Sequence, residues 1–230
     1  MKKKILASLL VLALCVFITG CKDKEEIKEP TIVGGWTLNS EVTSVTIPNE
    51  AASAFEKAYD KKKDGNLKPL ALLGTQVVSG TNYMFLCESI ENGKMSYKTV
   101  VVYKDLNGNS SISKVNNFDI TTYAGENISN DSNVLAGGWE VNTDNGKGSL
   151  KEDDNKIFEI AVSSLDGVNY KPVLLLATQL VSGNNYLFLS TAETVTQTPT
   201  KLLNVVTVYK DLDGQITLTS ISNINLANFN

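Results

Sequence analysis

Two copies of one module are written into this chain, and that repeat limits the possible folds more than any composition figure does. Thr75-Gln76-Val77-Val78-Ser79-Gly80-Thr81-Asn82-Tyr83-Met84-Phe85-Leu86 returns as Thr178-Gln179-Leu180-Val181-Ser182-Gly183-Asn184-Asn185-Tyr186-Leu187-Phe188-Leu189, 103 positions on (75 to 178). Gly34-Gly35-Trp36 and Gly137-Gly138-Trp139 keep that offset. Val102-Tyr103-Lys104-Asp105-Leu106 and Val208-Tyr209-Lys210-Asp211-Leu212 are 106 apart (102 to 208), which places a short insertion in the second copy. Anchors in a fixed order at a spacing near one hundred residues describe a tandem pair of domains, not a solenoid.

Each copy has the pattern of an α+β unit. A strand is expected over 36–46, and Pro48-Asn49 open a helix with Ala51, Ala54, Phe55, Ala58 and Tyr59 at helical spacing. Lys61-Lys62-Lys63 fall near its C-terminal end, and Asp64-Gly65 stop it. Strands over 68–76 and 81–89 form a first hairpin, Asn92-Gly93 turns the chain, and strands over 96–105 and 110–120 form a second. The second helix begins at the capping-box spacing Ser149-Leu150-Lys151-Glu152, runs through Ile157, Phe158, Ala161 and Leu165, and stops at Asp166-Gly167. The boundaries are therefore 32–122 and 134–230, joined by a polar linker over 123–133.

The first hairpin raises a question of its own. Gly80 and Gly183 can take the positive φ of its turn, and Val77-Val78 and Leu180-Val181 sit directly beside it. Consecutive strand residues face opposite sides, so one of each pair should stand out near the tip. Either this is ordinary packing against a neighbouring loop or it is a contact surface, and recurrence in both copies favours the surface. Nothing in the hairpin pattern itself demands glutamine at 76 and 179.

Gln-x-Val-x-Gly resembles the first hairpin loop of the cystatins, protein inhibitors of papain-like cysteine proteases. Gln76-Val77-Val78-Ser79-Gly80 carries it, and Gln179-Leu180-Val181-Ser182-Gly183 keeps every fixed position. The cystatin N-terminal trunk, an aliphatic pair before a glycine pair, is matched by Ile32-Val33-Gly34-Gly35 and by Leu135-Ala136-Gly137-Gly138. The resemblance covers roughly residues 32–122 and 134–230. It implies two tandem cystatin-like domains, each an antiparallel sheet of about five strands wrapped on one α-helix. It also implies a double-headed inhibitor whose trunk and hairpin residues wedge into a protease cleft, with no catalytic residue, metal or cofactor. One family element is missing: where cystatins carry Pro-Trp, the second hairpin loops read Asp105-Leu106-Asn107-Gly108-Asn109 and Asp211-Leu212-Asp213-Gly214-Gln215. That loss supports an alternative, a non-inhibitory binding or adhesion protein on the same scaffold.

Composition narrows the chemistry. The chain has no histidine, which removes Ser-His-Asp and Cys-His catalysis and histidine metal sites. No paired Asp/Glu constellation recurs in the two copies, so no enzyme is expected. A formal net charge of −4 gives no reason to expect nucleic acid. The Asp105 and Asp211 loops resemble the opening of an EF-hand, but their twelfth positions hold Asn116 and Ser222, so type I′ turns explain them better. Trp36 and Trp139 either anchor a partner or begin the core of the first strand.

The start of the chain reads as an address. Lys2-Lys3-Lys4 precedes an apolar run over 5–17 that is short for a bilayer span. Ile18-Thr19-Gly20-Cys21 resembles a bacterial lipobox, with residues 1–20 as the signal peptide and Cys21 as the lipidated N-terminus of a charged tether over 21–31. This implies an extracytoplasmic monomer held to a bacterial membrane by its lipid. Asp23, Glu25 and Glu26 resemble the export signal of surface lipoproteins on the outer membrane. Cys15 would leave with the signal, so Cys87 is the one remaining thiol, expected as a half-buried strand residue.

Overall fold

The computed structural model describes residues 34–39, 47–123, 138–144 and 150–229. Cys21, Ile32, Val33, Leu135, Ala136, Gly137 and the linker residues 124–133 lie outside them, as do 40–46 of the expected first strand.

The first repeat runs β1 (Trp36–Leu38), α1 (Asn49–Ala58), α2 (Lys61–Asp64), β2 (Leu67–Val78), β3 (Gly80–Glu91), β4 (Lys94–Lys104) and β5 (Ser110–Phe118). The second runs β6 (Trp139–Val141), α3 (Glu152–Val162), β7 (Val168–Val181), β8 (Gly183–Thr194), β9 (Lys201–Lys210) and β10 (Ile216–Asn223). Each builds a five-stranded antiparallel sheet in sequential order, β1-β2-β3-β4-β5 and β10-β9-β8-β7-β6. The expected class, α+β with one long helix per sheet, matches this architecture. Register shifts fall between Pro69/Ala71 and Leu72/Gly74 in β2 and recur between Pro172/Leu174 and Leu175/Ala177 in β7. Bulges of this kind increase local twist, which lets a sheet curl around a helix.

Local details depart from the sequence reading. The three lysines do not extend α1; they form the separate turn α2, capped by Asp60, whose Oδ1 accepts from the Lys62 amide at 2.9 Å. In α3 Lys151 takes the N-cap position without a side-chain cap bond, so Glu152 is the first helical residue and not the third. Three acidic residues, Glu152, Asp153 and Asp154, occupy that first turn, where the helix dipole favours negative charge. Asn92 (φ 52°) and Gly93 (φ 75°) make the expected turn, with the two positive φ values of a type I′ hairpin.

The central strands are largely apolar and buried on both faces, with Thr99, Ser190, Asn204 and Thr207 as buried polar residues among them. Phe85, Cys87, Val100 and Val102 pack with Ala51, Ala54 and Phe55 of α1; Phe158 of α3 packs with Phe188, Val206 and Val208 in the same way. The matching ring pairs Phe55–Phe85 (5.2 Å) and Phe158–Phe188 (5.3 Å) are edge-to-face. On the other face Leu70, Leu73, Met84 and Leu86 of the first repeat share one core with Leu174, Leu176, Leu187 and Leu189 of the second. The two repeats are thus joined through a common interior. Polar bonds cross it: the Tyr97 hydroxyl donates to the Leu176 carbonyl at 2.8 Å, and Asn116 Nδ2 donates to the Phe229 carbonyl at 2.8 Å.

Two 3-10 turns close that interior. Ile120–Tyr123 follows β5 and Leu226–Phe229 follows β10. Asp119 and Asn225 cap them through side-chain oxygens that accept from Thr121 (2.9 Å) and Ala227 (3.0 Å). Trp36 and Trp139 pack half-buried against this same core, which favours the core reading over a partner anchor. Cys87 is fully buried, not half-buried, because α1 covers its face of β3; that burial pushes its thiol pKa well up and leaves it inert.

Candidate functional site

In the first repeat the glycine pair and the first hairpin meet at one end of the sheet. β1 pairs with β2 so that Trp36 lies opposite Gln76, and Trp139 lies opposite Gln179 in the second repeat. The Gly34 amide donates to the Val77 carbonyl at 3.2 Å. Gln76 Nε2 donates to the Gly34 carbonyl at 2.9 Å, and Gln76 Oε1 accepts from Asn82 Nδ2 at 2.7 Å. Gln179 Oε1 accepts from Asn185 Nδ2 at the same distance, 2.7 Å. Both glutamines are buried, so they are framework and not contact residues. That is a correction: the scaffold does demand a side chain with both a donor and an acceptor at 76, to bind trunk and hairpin together.

The turn is tighter than expected. Strands run up to Val78 and resume at Gly80, so the chain reverses over Ser79 alone. Gly80 (φ 129°) and Gly183 (φ 118°) hold conformations that L side chains rarely adopt. Space matters as much as φ: a Cβ on either glycine would overlap the backbone carbonyl of Lys104 or Lys210 at the base of the second hairpin. The glycine therefore lets two hairpins touch. The Tyr103 hydroxyl bolts them by donating to the Ser79 carbonyl at 2.5 Å, and Tyr209 donates likewise to Ser182.

The second hairpin loop is a rigid closed ring. The Gly108 amide bonds the Asp105 carbonyl at 3.2 Å, and Gly108 is the loop's single positive-φ residue (φ 84°). This is a type I turn followed by a left-handed glycine, not the expected type I′ turn. Gly214 (φ 86°) repeats it. The Asp105 carboxylate accepts from the amides of Asn107 (2.9 Å) and Asn109 (2.8 Å) and from Asn109 Nδ2 (2.8 Å). Those bonds, the Asn109 side chain first, hold its pKa below the usual carboxylate range. The acid thus serves the turn.

What the ring presents is a leucine. Leu106 and Leu212 are each 84% exposed at the tips. Beside them Val77 (38%) and Val78 (39%) are both exposed, as are Leu180 (66%) and Val181 (42%). Strand alternation predicts one exposed residue in each pair; among the described residues both members of each pair stand out. The leucines are functional candidates that the comparison with Pro-Trp obscured. Their signal is present in the sequence, since Asp-Leu-x-Gly recurs in both copies at tips where a turn asks for no apolar residue.

The first edge has one tight ion pair. Glu50, in the first turn of α1, meets Lys104 Nζ at 2.7 Å. The Lys104 hydrogen bond, then its charge, lowers the Glu50 pKa and raises that of Lys104. A depressed carboxyl pKa contributes stability above the ordinary carboxylate range and loses it as pH falls through the folded value. Glu50→Gln should therefore lower thermal stability at neutral pH, and the difference from the parent should close as pH falls through the depressed Glu50 pKa; identical pH profiles for both proteins would refute the assignment.

Along the first edge the order is trunk, first hairpin, second hairpin, with successive elements hydrogen-bonded; in the second repeat the described residues show the two hairpins bonded in the same way. The arrangement can bury aliphatic side chains and backbone in a partner's cleft. A groove of about 460 Å³ among Val162, Leu165, Tyr170 and Leu203 opens elsewhere, where β7 begins, and shares no residue with either edge. The chain matches no protein-family model, and no characterised protein aligns with it significantly in sequence.

Proposed function

We propose that the chain is a double-headed, reversible inhibitor of papain-like cysteine proteases, built on two cystatin-like repeats. The observation that carries the reading is the edge itself. A glycine-pair trunk, a Gln-x-Val-x-Gly hairpin and a second hairpin are bonded in line at one end of a sheet, with their aliphatic residues in water. The helix between first and second strands and the sequential sheet order agree with the resemblance. Ile32-Val33 and Leu135-Ala136 would fill the subsite beside each trunk, and Gly34-Gly35 and Gly137-Gly138 let the backbone approach the cleft wall. Val77, Val78, Leu180, Val181, Leu106 and Leu212 supply apolar contact, each contributing about 1.5–3 kcal/mol if fully buried. Micromolar binding corresponds to about −8 kcal/mol net, so these contacts must act together with the trunk residues and with backbone bonds from preorganised tips to exceed the cost of association. Lipidation at Cys21 would hold the inhibitor outside the cytoplasm on a bacterial membrane.

The test is a titration of papain, with subtilisin as control. Papain activity should fall with up to two enzymes bound per chain, and subtilisin should be unaffected. Equal loss of both activities, or of neither, removes the inhibitory reading. The absent Pro-Trp favours a second reading, in which the same edges bind a partner that is not a protease; papain at full activity beside a captured ligand would support it.

A further inference from the structure

We infer that Gln76 is a clamp that keeps the trunk from being cut by the enzyme it occupies; this rests on the inhibitory reading above. A chain lying in a protease cleft is a potential substrate. Cleavage requires an extended segment whose carbonyl carbon is aligned with the thiolate at near-contact distance. The thiolate adds, the amine leaves with a proton, and water then hydrolyses the thioester to a carboxyl group.

Gly34 is held out of the extended conformation that this requires. Its φ is +87°, and nothing lies within 4 Å of the place a Cβ would occupy, so no crowding imposes the turn. Hydrogen bonds impose it. The Gly34 amide is fixed to the Val77 carbonyl at 3.2 Å, and its carbonyl is fixed by Gln76 Nε2 at 2.9 Å. Asn82 orients the amide group of Gln76 at 2.7 Å, so Nε2 faces the trunk. Both bonds to Gly34 anchor it to residues 76 and 77 of one rigid hairpin. Pulling the trunk straight would break both and strand a buried amide, whose desolvation disfavours the cleavable state. Gln179 is equally buried and its Oε1 accepts from Asn185 Nδ2 in the same way, while the matching glycine, Gly137, lies outside the described residues.

Gln76→Glu tests this selectively. A carboxylate can still accept from Asn82 Nδ2 but cannot donate to the Gly34 carbonyl. The full-length chain in detergent, carrying Leu180→Asp and Leu212→Asp to weaken the second head at exposed positions, is incubated with papain and followed by mass spectrometry. With Gln76 present the chain should stay intact through many half-lives of the complex. The Gln76→Glu variant should be cut around Gly34-Gly35 about tenfold faster or more, the rate ratio that 1.4 kcal/mol of lost protection corresponds to, and inhibition should decay in step. Subtilisin is the control for loosening: a parallel rise in its cutting would show that Gln76 only stabilises the hairpin, and would overturn the inference. So would unchanged persistence of Gln76→Glu against papain. If the chain with Gln76 does not inhibit papain at all, the inhibitory reading falls and the clamp falls with it.

Discussion

A fragment ending at residue 122 will not fold as a monomer. Cut there, the first repeat exposes Leu70, Leu73, Met84, Leu86, Tyr97, Val101 and Phe118, all now buried in the core it shares with the second repeat. At about 1.5–3 kcal/mol for each large side chain, the lost burial is as large as the roughly 5–15 kcal/mol by which a domain is normally stable. The helix-side core remains, with Phe55 and Phe85 at its centre, but it would have to hold a sheet whose reverse face is greasy. The expected result is an aggregated or dimeric fragment, by analytical ultracentrifugation, with a dye-binding apolar face. The whole chain should instead melt in one transition, and Leu86→Ala or Leu189→Ala should lower both repeats together by about 2–5 kcal/mol. A monomeric fragment with dispersed amide resonances would show that each repeat is self-sufficient.

The shared core explains where sequence reasoning succeeded and where it stopped. Helices, hairpins and glycine turns are local, and their signals lie within a few residues: Phe55 and Phe158 at helical spacing, Asn92-Gly93 at a turn. Domain-sized spacing then suggests two independent units. What argues against independence is also local. Leu70-Ala71-Leu72-Leu73, Met84-Phe85-Leu86-Cys87 and Val100-Val101-Val102 do not alternate with polar residues, as strands with one wet face should. Such runs need cover on both sides, and one helix supplies only one. A fourth repeated anchor, Asp119-Ile120-Thr121-Thr122-Tyr123 against Asn225-Leu226-Ala227-Asn228-Phe229, marks the turns that close the second side. The partner of that face was not legible, because strand pattern gives a face and never says what lies against it.

At the edge the limit was different. Gln76 and Gln179 read as contact residues because no strand pattern calls for them, and only the 42-residue reach to Gly34 reveals a framework role. Residues that act through distant backbone look idle in sequence. Leu106 and Leu212 had the opposite problem: they were visible, but the missing Pro-Trp drew attention to absence. The Asp105 bonds show why a leucine there is informative, since a ring that closes on its own backbone and one carboxylate needs no apolar tip.

That leads to the sharpest separation of contact from framework. Leu106→Asp together with Leu212→Asp should leave melting unchanged within about 0.5 kcal/mol, because both side chains already stand in water. Inhibition should weaken sharply all the same. Losing about 1.5–3 kcal/mol of apolar burial is worth roughly 10- to 150-fold in each head, and placing a carboxylate against a cleft wall adds to that. Gly80→Glu with Gly183→Glu should abolish binding by another route. Its side chain meets the Lys104 or Lys210 carbonyl and a strained φ, so melting should fall as inhibition is lost. Calorimetry and papain titration on the same four proteins, wild type, each double variant and the quadruple, resolve the two routes. If the leucine variant inhibits as strongly as wild type, the second hairpin does not touch the partner, and recognition rests on trunk and first hairpin alone.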